Sequence, residues 1–327
     1  MTNRQKRPKV IFWRFFLILI PILGIMLLKL LFFRGLWQNL GRTTIVFNTI
    51  PILIVSLNHE NNSAQILSLP TTAEIDVVEG YGKYRAGKIY SLDKLEKKEG
   101  KLFINSFSRG LGVPIDGFVS YADNTIISDE NQLTKEDIAR YKQKLFSPDF
   151  FLHLFWQKGS LVATNLTIVD YIRSFIFLSG VRPNKIDFIN LFREGAFANI
   201  TLPDQTKSLA TDYQKIDGIT RETFNEQPVV FENLKVEVLN STDYEGLADE
   251  VARIISHLGA AVLSTGNDSE KVEGCKIYIA KTLAKTYTVK RLQGFFHCQL
   301  SLEKRAATRT DLSLILGEKI KKEFRTH

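Results

Sequence analysis

The stretch Val10 to Phe33, VIFWRFFLILIPILGIMLLKLLFF, constrains this chain more than any other feature. At about 1.5 Å per helical residue it is long enough to cross a hydrocarbon layer of about 30 Å. Its two charges, Arg14 and Lys29, lie towards the ends, from where long cationic side chains reach the headgroups. Pro21 and Gly24 sit mid-segment, where a membrane helix tolerates them. Arg4, Lys6, Arg7 and Lys9 cluster before the segment, while Lys29, Arg34 and Arg42 are more dispersed around its far end. Cations near a membrane stay cytoplasmic, so the amino terminus is expected inside and the bulk of the chain outside. The competing reading is a cleaved signal peptide. No small-residue cleavage pattern follows the apolar run, which favours an uncleaved single-pass anchor.

Charge supports this reading. The chain has a formal net charge of +8, and no acid precedes Glu60. The eight cations up to Arg42 therefore account for the whole excess, and the remainder is formally neutral. A nucleic-acid protein would spread its basic excess over a binding face, so nucleic acid is excluded as a partner.

The expected organisation is a cytoplasmic basic tail at 1–9, an anchor at 10–33, an α/β domain at 34–199, a linker at 200–232 and a small α/β domain at 233–327. Thr44 to Leu57 is β-branched and apolar enough for one or two buried strands, and Ala64 to Leu69 for another, ended by Pro70-Thr71-Thr72. Glu74 to Glu79 alternates like an edge strand, Tyr90 to Arg109 has helical spacing, and a strand follows Leu111 to Asp116. Residues 130–192 read as mainly helical, with Thr167 as an N-cap. From Asn199 to Pro228 the chain turns polar and periodicity is lost, which reads as the linker or an extended pairing segment. Beyond it, strands are expected at 236–239, 261–265, 276–280 and 312–316, and helices at 246–258 and 287–296. Gly259 stands where a left-handed cap is wanted. Cys275 opens a strand and Cys298 follows a helix; they form either a disulfide, which an extracytoplasmic site permits, or two separate buried thiols.

Val238-Leu239-Asn240, then Gly246-Leu247-Ala248, then Asp311 to Gly317 (DLSLILG) resemble the LytR C-terminal domain in order. Upstream, Ile54-Val55-Ser56-Leu57, Ile66 to Pro70, Leu111 to Asp116 and Asn165-Leu166-Thr167 resemble the LytR-CpsA-Psr core. The resemblance implies a single-pass envelope protein that handles cell-wall glycopolymer on a polyprenyl-pyrophosphate carrier. In that family a divalent cation such as Mg2+ assists phosphotransfer to peptidoglycan.

The departures bear on activity. That family's strand ends Ser-x-Pro-Arg-Asp, whereas here Ser68-Leu69-Pro70 is followed by Thr71-Thr72, and Ile50-Pro51 occupy the region of a further aspartate. A pyrophosphate needs arginines or a metal held by carboxylates. The expectation is therefore binding or organisation of glycopolymer, its lipid-linked precursors or partner envelope proteins, without turnover, no catalytic residue and no cofactor. The alternative keeps the phosphotransferase, with Mg2+, and assigns the pyrophosphate to Lys83, Arg85 and Arg109.

The candidate phosphate ligands are Lys83, Arg85 and Lys88 in a Gly/Tyr-rich loop, with Arg109 and Arg182; the bland reading is solvated loop cations. Asp76, Glu79 and Asp116 are candidate metal ligands, but scattered acids of this kind are better read as surface residues, so no metal site is expected. The histidines at 59, 153, 257, 297 and 327 lack ligand spacing, and no P-loop, G-x-S-x-G or H-E-x-x-H motif occurs. Ser56 and Ser68 read as strand residues rather than nucleophiles.

Overall fold

The computed structural model describes residues 19–24, 36, 41–121, 162–201, 205–303, 305 and 309–326. Of the anchor expected at 10–33, only 19–24 fall within these, and they are helical; the rest lies outside the described residues, as do the basic tail and 130–161 of the expected helical region. Among the described residues, no helix is long and apolar enough to cross a membrane.

The first half is built on a six-stranded sheet. Strands β1 (Arg42–Asn48), β2 (Ile52–Asn58) and β3 (Ser63–Leu69) form an antiparallel meander. On one side β6 (Gly117–Tyr121) joins β1 in parallel and β7 (Val162–Thr164) closes that edge; on the other, β8 (Ile186–Asn190) runs parallel to β3. Side chains alternate between faces along a strand. Ile52 and Ile54 enter one core with Phe103 and Phe107, while Leu53 and Val55 enter another with Tyr171 and Leu178. Both faces being covered explains why these strands read as unbroken apolar runs rather than alternating ones.

The first face is covered by a hairpin, β4 (Glu74–Val77) and β5 (Gly82–Arg85), and by helices α1 (Ala86–Leu95) and α2 (Lys101–Leu111). The single helical span expected over 90–109 is thus two helices. Lys97, Glu99 and Gly100 all adopt positive φ, and buried Asp93 accepts from the Gly100 and Phe103 N–H groups at 2.7 and 3.1 Å, capping α2 from the preceding helix. The other face is covered by α3 (Ile168–Gly180). Its N-terminus is a capping box in which Thr167 Oγ1 accepts from the Asp170 N–H and the Asp170 carboxylate accepts from the Thr167 N–H.

Residues 200–232, expected as a linker, carry regular structure. Strands β9 (Phe197–Thr201) and β10 (Lys207–Thr211) pair as a hairpin, followed by α4 (Tyr213–Thr223) and α5 (Gln227–Glu232). The segment looked aperiodic because few of its side chains are buried, among them Leu209, Ile216, Thr220 and Val229. β9 is mostly exposed and β10 buries the adjacent Ser208 and Leu209, so neither strand shows the alternation that marks a half-buried strand.

The second half has a five-stranded sheet in the order β12 (Ala261–Asn267), β11 (Lys235–Asn240), β15 (Leu312–Leu316), β13 (Cys275–Ile279), β14 (Gln299–Ser301). Helices α6 (Leu247–His257), α7 (Tyr287–Phe296) and α8 (Glu318–Phe324) share its core, with Val251, Ile255, Leu292 and Phe324 packed on Val236, Val238 and Leu314. The expected elements recur here with small shifts at their ends. Gly259 has φ +101°, and Gly317 is required for another reason: a Cβ there would lie 2.1 Å from the Val272 carbonyl oxygen. Asn240 braces the turn after β11, its Nδ2 donating to the Tyr244 carbonyl at 2.7 Å and its Oδ1 accepting from the Thr242 N–H at 2.9 Å. Cys275 and Cys298 form a disulfide that ties β13 to the end of α7.

Candidate functional site: a cationic cleft at the end of the first sheet

A cleft of ≈ 210 Å³ opens where β1 and β3 end. Its walls are the β1–β2 turn with Asn48, Thr49 and Ile50, the Thr71-Thr72 turn after β3, Arg85 at the end of β5, and Gly87 and Lys88 in the first turn of α1. Pro70, which has no N–H to offer a ladder, ends β3, and the turn after it is held from two sides. The Thr71 carbonyl accepts from the Gly87 N–H at 3.0 Å, and the Thr72 carbonyl accepts from Ser208 Oγ at 3.2 Å. Gly87 lets α1 approach this closely, since a Cβ there would meet Thr71 Cβ at 2.8 Å.

The lining is cationic and hydroxyl-bearing. Arg85 spends one N–H on the Lys207 carbonyl at 3.2 Å, and neither it nor Lys88 is in an ion pair among the described residues. The N-terminal end of α1 adds the positive end of a helix dipole. Among the described residues no Asp or Glu lines the cleft, so it suits an anion. A divalent cation would need hard oxygen ligands, usually carboxylates, and this donor set does not fit one. Elsewhere among the described residues, no three His, Cys, Asp or Glu side chains gather as a metal site.

Of the five cations singled out from sequence, the fold brings Arg85 and Lys88 together and separates the rest. Lys83 is exposed in β5, outside the cleft lining. Arg109 points to the second half of the chain, where Nε and Nη2 donate to the Glu250 carboxylate at 3.0 and 2.5 Å. Arg182 is exposed beside the turn at 183–185, leading into β8 at the amino end of β3, the opposite end of the sheet. The acids are equally dispersed: Glu79 pairs with Lys98, and Asp116 is committed to Arg291. Ser56 and Ser68 are buried within β2 and β3.

The junction between the halves holds a buried ionic network that no local sequence pattern marks. Arg291, 1% exposed, donates Nε to Glu226 at 2.8 Å and Nη1 to Asp116 at 2.5 Å. Tyr287 Oη donates to Glu226 Oε2 at 2.5 Å, and Asp116 also accepts from the Thr44 N–H at 2.8 Å. Burial opposes the Arg291 charge, but Asp116 and Glu226 outweigh it and hold the guanidinium firmly protonated. Burial raises the Glu226 carboxyl above its ordinary range, with Arg291 pulling the other way. Arg253 adds a second tie, pairing with Asp217 and donating to the Arg109 and Gly110 carbonyls at 2.6 and 3.0 Å. Arg42, counted from sequence with the cations flanking the anchor, is instead 5% exposed at the start of β1.

Residues 233–319 match the family model described as LytR cell envelope-related transcriptional attenuator. No curated protein matches the chain. Among solved structures, TagT bound to LIIa-WTA is 14% identical with a TM-score of 0.41, the alignment covering 56% of this chain and 90% of that one. TagV of B. subtilis is 15% identical with a TM-score of 0.39, covering 56% and 95%. YwtF (TagT), a LytR-CPS2A-psr family protein with bound octaprenyl pyrophosphate lipid, is 13% identical with a TM-score of 0.38, covering 57% and 90%.

Proposed function

We propose that this chain, which carries a LytR C-terminal domain at residues 233–319, is a membrane-anchored envelope protein that binds a pyrophosphate-linked glycopolymer precursor without turning it over. The observation that carries the reading is the convergence of Arg85 and Lys88 on a cleft lined by Thr71 and Thr72 and by no carboxylate. Two cations and a helix N-terminus supply the attraction a pyrophosphate needs. Among the described residues, the same lining offers no His, Asp or Glu to act as general base, and this supports binding rather than transfer. In this reading the amino terminus is cytoplasmic and both halves are extracytoplasmic. The asymmetry of cations around residues 10–33 supports that placement, and the Cys275–Cys298 disulfide suits an oxidising compartment.

The test uses the full chain in a lipid nanodisc with magnesium and a radiolabelled polyprenyl pyrophosphate. Saturable binding is expected, with no release or transfer of phosphate. Charge-assisted hydrogen bonds contribute about 1.5–3 kcal/mol each, so Arg85→Ala/Lys88→Ala should weaken binding by at least about tenfold. Absence of binding, or binding indifferent to that double substitution, overturns the proposal. Turnover that Arg85→Ala abolishes would establish the phosphotransferase instead.

A further inference from the structure

The start of α3 is tied to the chain just beyond the expected anchor. Leu36 stands three residues after Phe33, the last residue of that anchor, and its N–H donates at 3.0 Å to the carboxylate of Asp170 in the first turn of α3. The Leu36 side chain packs in the same core as Tyr171 and Leu178. Three extended residues span at most about 11 Å, so α3 begins within about that distance of the anchor's end.

The helix is apolar on both sides. Asp170, Tyr171, Ser174 and Leu178 are buried. At about 100° per residue, the opposite side carries Val169, Ile172 and Ile176, spaced i, i+3 and i+7. Val169 and Ile172 are half-buried, and Ile176 is 63% exposed. A surface helix of a globular domain ordinarily turns charge outward, and here Arg173 alone brings any to that side. At 13 residues, or about 20 Å, α3 is too short to cross a bilayer but can lie along one.

Beyond the helix the chain is cationic. Residues 179–185 carry Arg182 and Lys185 and no acid, and both side chains are exposed. Lys185 Nζ donates to the Asn61 carbonyl at 2.7 Å. An apolar stripe followed by cations suits an interfacial helix, whose apolar side enters the headgroup layer while its cations meet anionic headgroups. The short tether decides the partner, because it holds a bilayer at a high effective concentration beside this face.

We infer that α3 lies along an anionic bilayer surface, with Val169, Ile172 and Ile176 in the headgroup layer and Arg182 and Lys185 on the headgroups. This contact rests on the anchor reading of residues 10–33. It means that the first half is docked on the membrane rather than free to swing from it. It also gives a place to Arg182, which the fold keeps away from the cationic cleft.

The test reads the depth of one side chain. The sequence has two cysteines, both in the 275–298 disulfide, so Ile176→Cys and Leu95→Cys each supply a single thiol for a nitroxide label. Leu95, 75% exposed, ends α1 on the opposite side of the first sheet. The labelled full chain is placed in nanodiscs of phosphatidylglycerol and phosphatidylcholine, and collisions with dissolved oxygen and with a water-soluble nickel chelate report depth. The label at 176 should sit about 5–10 Å into the headgroup–acyl boundary, rich in oxygen and poor in nickel collisions, while the label at 95 stays aqueous. Arg182→Glu/Lys185→Glu, its fold checked by circular dichroism, should move the 176 label towards water. A label at 176 as open to nickel as the one at 95 overturns the inference, as does a depth indifferent to the charge reversal. Spin–spin broadening that unlabelled chain dilutes away would mean that a second copy covers the stripe, and overturns it too. A chain that washes off the nanodiscs removes the anchor and this contact together, whereas a chain that stays with an aqueous label at 176 removes the contact alone.

Discussion

Replacing Arg291 by Met tests whether the two halves are held by their buried charges. Arg291 is 1% exposed and joins Asp116 on the β6 side to Glu226 ahead of α5, each within hydrogen-bonding distance. The Met side chain keeps most of the volume and removes the cation. Glu226, itself 1% exposed, is then left with the Tyr287 hydroxyl at 2.5 Å, and Asp116 with the Thr44 N–H at 2.8 Å. Removing one partner of a buried ion pair typically costs about 3–5 kcal/mol, because the remaining charge stays desolvated. At about 2–4 °C per kcal/mol for a unit of this size, the melting temperature should fall by about 6–20 °C.

The pH dependence has a definite sign. Burial already raises the Glu226 pKa, so its ionisation opposes folding, and stability from this group is lost as pH rises through the folded-state value. Without Arg291 that value moves higher still. The variant's deficit should therefore be larger at about pH 8 than at about pH 5, where a neutral Glu226 can form. Thermal unfolding followed by circular dichroism at both pH values measures this. A deficit under about 1 kcal/mol at pH 8, or one that does not shrink at pH 5, refutes the claim that the network carries a charge-dependent share of stability.

Two further outcomes follow. Cys275→Ser/Cys298→Ser removes a cross-link between residues 23 apart in sequence, and loop entropy sets the loss at about 3 kcal/mol, to be read by urea unfolding of the full chain. Burial lowers the pKa of His257 to about 4, well under its ordinary 6.5, so the stability held by its neutral form is present above pH 6.5 and drains away as pH falls towards 4. A His257→Leu protein should show a flatter stability profile across that interval, and an unchanged slope would show that another group is responsible.

Much of the fold was legible because its signals are local. The β-branched run from Thr44 to Leu57 became two strands, Thr167 capped its helix, and the helix at 287–296 was read to the residue. Gly259 takes the left-handed backbone that its place after the helix called for. Residues 200–232 read as a linker or an extended pairing segment; the structure has the pairing, as the β9–β10 hairpin, and adds two helices whose sparse burial left no periodic signal. The break between α1 and α2 was hidden for a related reason. Asp93 caps a helix that begins several residues later, and apolar spacing carries no trace of that.

The candidate site divides the same way. The glycine- and tyrosine-rich cation loop was visible in sequence, and so was the loss of charge at Thr71 and Thr72, since both are statements about composition at fixed positions. Which cations share a cleft was decided only in three dimensions. Arg109 resembled Arg85 in sequence, yet Glu250 lies 141 positions away and takes it into the junction between the halves. Asp116, weighed as a surface acid, meets Arg291 across 175 positions, and Arg42 leaves the anchor's flank for the interior of the sheet. By itself, then, the sequence determined most strands and helices of the two sheets, the α/β class, the concentration of charge at the amino end and the lack of charge at Thr71 and Thr72. Tertiary structure alone decided which charges neutralise one another and which remain to meet a ligand. Coulombic and hydrogen-bond partners are set by distances of a few ångströms in space, and chain separation says nothing about those until the sheets have packed.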